Sequence, residues 1–78
     1  MNDHSTPMEC ADLYPLWVCA REETDEALAD WALAPAARRR EAFAVYVAAA
    51  DREDAAARAW MEACAAYDTA AALERAAA

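Results

Sequence analysis

The densest chemical feature of this chain is a run of carboxylates. Glu22, Glu23, Asp25, Glu26 and Asp30 place five acids within nine residues, with no base among them. On a helix Glu22, Glu26 and Asp30 stand at i, i+4 and i+8, where each like-charge pair costs about 0.2–0.5 kcal/mol. One use of such a run is a solvated helix face, or a helix start whose acids complement the dipole. The other is a negative patch that docks on a basic surface and speeds encounter more than it deepens affinity. Asp51, Glu53 and Asp54 form a second, weaker patch. Arg38-Arg39-Arg40 is the only basic cluster and follows Pro35 by a few residues. There a positive charge opposes the helix dipole. The arginines are expected to pair with nearby acids once consecutive helices fold antiparallel; the sharper reading is a phosphate contact or a salt bridge to another chain.

His4, Cys10, Cys19 and Cys64 offer the atoms of a Cys3His zinc site but lack the short ligand pairs of structural zinc folds. The cysteine count is odd and no C-x-x-C pair occurs, so reduced thiols are expected, with Cys64 a small hydrophobe on an apolar stripe. The one histidine lies in the polar N-terminal segment, far from a role as base to a thiol. No E-x-x-H bundle metal motif is present. Glycine is absent, which excludes a Gly-rich phosphate loop and a dinucleotide fingerprint. The expectation is a protein that is not an enzyme and takes no metal and no cofactor.

The elements that carry these residues must be helical. Alanine, the best helix former, supplies 26 of the 78 residues, and no glycine is available for tight β-turns. Leu, Val, Met, Phe, Trp and Tyr together number 18, a thin core for one small domain. Tight alanine-mediated helix contacts, or a partner chain, must supply the rest of the stability. Residues 1–5 are polar and expected to be disordered, leaving 6–78 as a single helical domain. Thr6-Pro7-Met8-Glu9 reads as a helix start with a capping box, and Pro15 is expected to end that helix near residue 14. A second helix then runs from Pro15 to about 23, and a third, capped by Thr24, covers 25–34 before Pro35. One helix over 16–34 is the alternative.

Beyond Pro35 no breaker appears. Phe43, Tyr46, Val47 and Ala50 form one apolar stripe; Ala57, Trp60, Met61, Cys64, Tyr67 and Ala71 form another. Between them lies Asp51-Arg52-Glu53-Asp54, and a continuous helix is expected to set Asp54 on the apolar face. The favoured division is therefore two helices, 36–50 and 52–76, with Asp51 as cap. The alternative is one long kinked helix of about 60 Å, which the first 35 residues could not cover and which would demand a dimer. The fold class is all-α, a small bundle of three to four helices. The three tryptophans and three tyrosines stand at helical spacing and are expected in the core, though such residues also anchor interfaces.

Seven arginines against fifteen acids leave a net charge of −8 and a pI near 4.3. That excludes a conventional basic nucleic-acid reader. The longest uncharged run, residues 42–50, is far short of the roughly 20 a membrane span needs. The N-terminus carries no signal-peptide pattern, so a cytoplasmic protein is expected. The leading functional expectation is a small acidic inhibitor that occupies a basic, nucleic-acid-binding surface of a partner protein. Its candidate contacts are the acids at 22, 23, 25, 26, 30, 51, 53 and 54. In charge and size it resembles, as a class only, the compact acidic inhibitors phages use against host defence, such as anti-CRISPR and anti-restriction proteins. Its carboxylates are too sparse to copy a duplex, which carries a charge about every 1.7 Å, so competition at a few contact points is expected. The alternative is a structural or adaptor protein, a homodimer joined through Phe43, Tyr46, Val47, Trp60, Met61 and Tyr67. An antitoxin or regulator that sequesters a basic partner is a further reading.

Overall fold

A computed structural model describes residues 10–77. It is a helical hairpin: α1 spans Cys10–Leu33, a single 3-10 turn spans Ala36–Arg38, and α2 spans Arg39–Ala77. The all-α expectation holds. The bundle of three to four helices does not: two helices of 24 and 39 residues form a rod with extents of 63 × 27 × 14 Å. The expected start at Thr6 and the segment 1–5 lie outside the described residues.

The two helices meet along a seam of regular spacing. On α1 Leu13, Trp17, Ala20, Thr24, Ala27 and Trp31, and Ala34 just beyond it, withdraw from solvent, at alternating intervals of four and three. On α2 Ala42, Tyr46, Ala49, Glu53, Ala56, Trp60 and Ala63 do the same, and Ala50, Ala57, Cys64 and Ala71, on the next row round, are half-buried too. A repeat of 3.5 residues is the period of a left-handed coiled coil. At the middle of the seam the residues are small, and Ala27, Ala49 and Thr24 are the buried ones among those described. Backbones approach closely there. The Thr24 hydroxyl, a single donor, lies 3.0 Å from the Ala20 carbonyl of its own helix and 3.2 Å from the Ala49 carbonyl of α2. Thr24 is therefore no helix cap; it sits inside α1 and ties it to α2.

Aromatic clusters close the seam on either side of this waist. Toward the turn, Trp31 stacks on Tyr46 with ring centroids 5.6 Å apart and meets Phe43 at 4.8 Å. Toward the open end, Trp17 stacks on Trp60 at 5.4 Å, and Tyr14 presents its edge to Trp60 at 5.1 Å. Offset and edge contacts of this kind contribute about 0.5–1.5 kcal/mol each beyond the area they bury. Tyr46 and Trp60 thus pack on α1 and are half-buried there.

Two expected breaks are absent and a third holds. Pro15 lies within α1, exposed, and costs the helix one backbone bond to Ala11. The helix passes through because Tyr14 and Trp17 on either side pack on Trp60 and because Cys10 is tied to α2. Residues 50–54 continue α2 without a turn: Asp51 and Asp54 are exposed, and the half-buried acid is Glu53. Asp54 falls outside the covered face and pairs with Arg58, so it pays no burial cost. Pro35 does end α1, since the residue before a proline avoids helical backbone. Its carbonyl accepts the Arg38 amide at 2.9 Å to start the turn into α2.

The cysteines also depart from expectation. Cys10 and Cys64 form a disulfide between residues 54 apart in sequence, their Cα atoms 4.8 Å apart, and only Cys19 is free among the three. Folding α1 back along α2 brings these two positions opposite one another, a proximity no local spacing reveals.

Candidate functional site

The acidic surface is built by the outer side of α1. Thr24 and Ala27 point into the seam, so Glu22, Glu23, Asp25, Glu26 and Asp30 all remain exposed. The antiparallel register sets Glu23 across from Arg52, with Oε1 3.7 Å from Nε and both side chains 60% exposed. Such a pair is worth well under about 1 kcal/mol in high dielectric. Glu22, Asp25, Glu26 and Asp30 form no ion pair among the described residues. On α2 Asp51 is exposed, while Asp54 is taken up by Arg58 at 3.1 Å, one helical turn on. Glu53 is half-buried at the seam and does not join the patch. Of the eight acids expected to act together, five are therefore presented without a counter-charge: four on α1 and Asp51.

The arginine triplet sorts into separate roles. Arg38 lies 3.6 Å from Glu41, three residues on. Arg39 donates to the Ala34 carbonyl at 3.2 Å, just past the last residue of α1. Its charge opposes the dipole of α2 but complements the C-terminal end of α1, which lies beside it. Arg40 has no ion-pair partner among the described residues. No arginine of the triplet reaches the acids at 22–30, so the expected pairing between consecutive helices runs instead through Arg52.

Two grooves open on the rod. One of about 530 Å³ at the turn is lined by Asp30, Leu33, Pro35, Arg38, Glu41 and Val45. Another of about 510 Å³ at the disulfide is lined by Cys10, Ala11, Tyr14, Trp60 and Tyr67. Neither sets a nucleophile beside a base. Among the described residues no group of three or more His, Cys, Asp or Glu could hold a metal ion. None of the described helices is long and apolar enough to cross a membrane.

Phe43, Val47, Met61 and Tyr67 of the expected self-association stripe remain exposed, at 44, 38, 65 and 61%. Spacing on α2 alone could not separate these from Tyr46 and Trp60, because α1 chooses which face it covers. Tyr14 and Leu28 on α1 are half-exposed too. They escape a reading that treats each helix by itself, since their flank is shared by both. No protein-family model, no curated protein sequence and no solved structure matches this chain.

Proposed function

We propose that this chain is a binding protein that docks through the acidic outer face of α1 on a basic surface of a partner protein, a surface otherwise used to hold nucleic acid. The observation that carries this reading is the state of Glu22, Asp25, Glu26 and Asp30: exposed, on one helix, and without ion pairs among the described residues. A coiled-coil hairpin holds such charges at fixed separations, which favours steering toward complementary charge over adaptable packing. The carboxylates compete with phosphates at a few contact points instead of imitating a duplex.

The test is binding at about 0.15 M salt, where exposed charges more than about 8 Å apart are largely screened. Glu22, Glu23, Glu26 and Asp30 are reversed together to Arg, and partner and variant are compared in solution. The partner is first captured from a lysate of the native host and identified by mass spectrometry. The expected result is a captured protein that binds nucleic acid, is released by that nucleic acid, and loses about tenfold or more in affinity toward the reversed variant. Unchanged binding by the variant, or a partner indifferent to nucleic acid, counts against the reading.

A further inference from the structure

We infer that the Cys10–Cys64 link is a redox clasp: a thiol reductant opens it and releases residues 10–14 from α2, while the hairpin beyond Pro15 stays folded. The ground is how residues 10–14 are held. Pro15 is the sixth residue of α1 and has no amide proton, so the Ala11 carbonyl receives no helical bond. A residue before proline avoids helical backbone, yet Tyr14 is held within α1. Residues 10–14 are thus a turn partly severed from the helix that follows. Ala11, Asp12 and Tyr14 are exposed, and only Cys10 and Leu13 are half-buried. The disulfide anchors the first residue of this turn, and the edge of Tyr14 rests on Trp60 at 5.1 Å at its last. An edge contact by a ring that is 47% exposed is weak beside a covalent bond. With the bond cut, backbone entropy and the preference of Tyr14 both favour unwinding.

The rest of the hairpin has ties of its own. Trp17 lies past Pro15 and stacks on Trp60 at 5.4 Å. The Thr24 hydroxyl meets the Ala49 carbonyl at 3.2 Å. Trp31 packs on Phe43 and Tyr46. None of these contacts involves residues 10–14, so Pro15 is where the clasp divides the molecule. The acids at 22–30 lie on the retained side, and neither this inference nor the docking reading depends on the other.

The bond is open to attack. Cys10 lines the groove of about 510 Å³ with Ala11, Tyr14, Trp60 and Tyr67. A thiolate of the reductant attacks Cys10 Sγ there; the bond to Cys64 breaks and its electron pair leaves on Cys64 Sγ. A second thiol of the reductant then frees Cys10, and the reductant departs as its own disulfide. Two protons pass from the reductant to the two cysteines. Cys19 cannot serve as that second thiol. It is nine residues along the same helix from Cys10, about 13.5 Å by the helical rise. The clasp therefore answers to an external thiol.

The test is nuclear magnetic resonance of the full chain before and after dithiothreitol, with Cys19→Ser to prevent cross-linking. The Cα carbon shifts of residues 11–14 read the local backbone. They are expected to move from helical to coil values on reduction, while those at 20–33 and 39–60 stay helical. Oxidised glutathione restores the first set. Cys10→Ser with Cys64→Ser gives the reduced pattern without any reductant. Pro15→Ala returns residues 11–14 of the reduced chain toward helix, because the bond to the Ala11 carbonyl is restored. Shifts at 11–14 that stay helical on reduction overturn the inference. Loss of helix along the whole chain at once also overturns it, since the link is then a general stabiliser and no clasp. So does a reduced Pro15→Ala chain whose residues 11–14 are no more helical than those of the reduced parent.

Discussion

Ala49 and Thr24 mark the tightest point of the molecule, and both owe their place to being small. Ala49 is 2% exposed and its carbonyl faces the Thr24 hydroxyl of α1. A larger side chain at 49 must push the helices apart or leave its preferred rotamer. Ala49→Leu is therefore expected to destabilise the fold by about 1–3 kcal/mol despite its greater apolar area, measured by urea unfolding at fixed protein concentration. An unchanged or higher midpoint would mean that the helices do not approach as closely as this contact requires. The surface behaves differently. Glu23 and Arg52 meet across the helices, yet both are mostly solvated. Glu23→Gln is expected to cost less than about 1 kcal/mol, and less again at high salt. A larger loss would assign the pair a structural weight that its exposure denies.

At the scale of the element, α2 is the surprise. Asp51-Arg52-Glu53-Asp54 resembles a cap and first turn, yet the helix runs through it. Every residue there tolerates helical backbone, and the exposed acids find water or an arginine a turn away. Arg52→Pro separates the two possibilities. At the first position of a new helix proline is well tolerated. Within a continuous helix it removes the bond to the Ala48 carbonyl and clashes with it, at about 3 kcal/mol or more. The expected outcome is a steep loss of helical signal and of thermal midpoint by circular dichroism. A variant as helical and stable as the parent would restore two separate helices. Pro15 shows that one such defect is survivable when strong contacts flank it. Tyr14, Trp17 and the Cys10 link hold the first turns of α1 against Trp60 and Cys64.

For the whole molecule the question is what closes a rod with so little buried interior. One end is closed by the Pro35 turn and the other by the disulfide. A link across 54 residues removes loop entropy from the unfolded chain worth about 4 kcal/mol in the chain-entropy account. Reduction, or Cys10→Ser with Cys64→Ser, is expected to lower unfolding stability by a loss of that order. Urea titrations with and without dithiothreitol provide the comparison, and coincident curves would show that the link constrains nothing. The long thin shape also spreads charge.

From the residues alone follow the all-helical class, the stop at Pro35, the exposure of the acidic run and the packing of Trp17, Trp31, Tyr46 and Trp60. These rest on local properties: helix propensity, a missing amide proton, the cost of burying charge and the benefit of burying rings. The number of helices, the position of the seam and the Cys10–Cys64 link do not follow. The stripe expected on α2 shares Tyr46, Ala50, Ala57, Trp60, Cys64 and Ala71 with the covered face but misses the row of Ala42, Ala49, Ala56 and Ala63, because alanine is as common outside the seam as inside. A helix face made of a residue found everywhere carries no phase. Only the pairing of α1 with α2 chose the face, and with it which aromatics are covered, which acids are left unpaired and which cysteines meet.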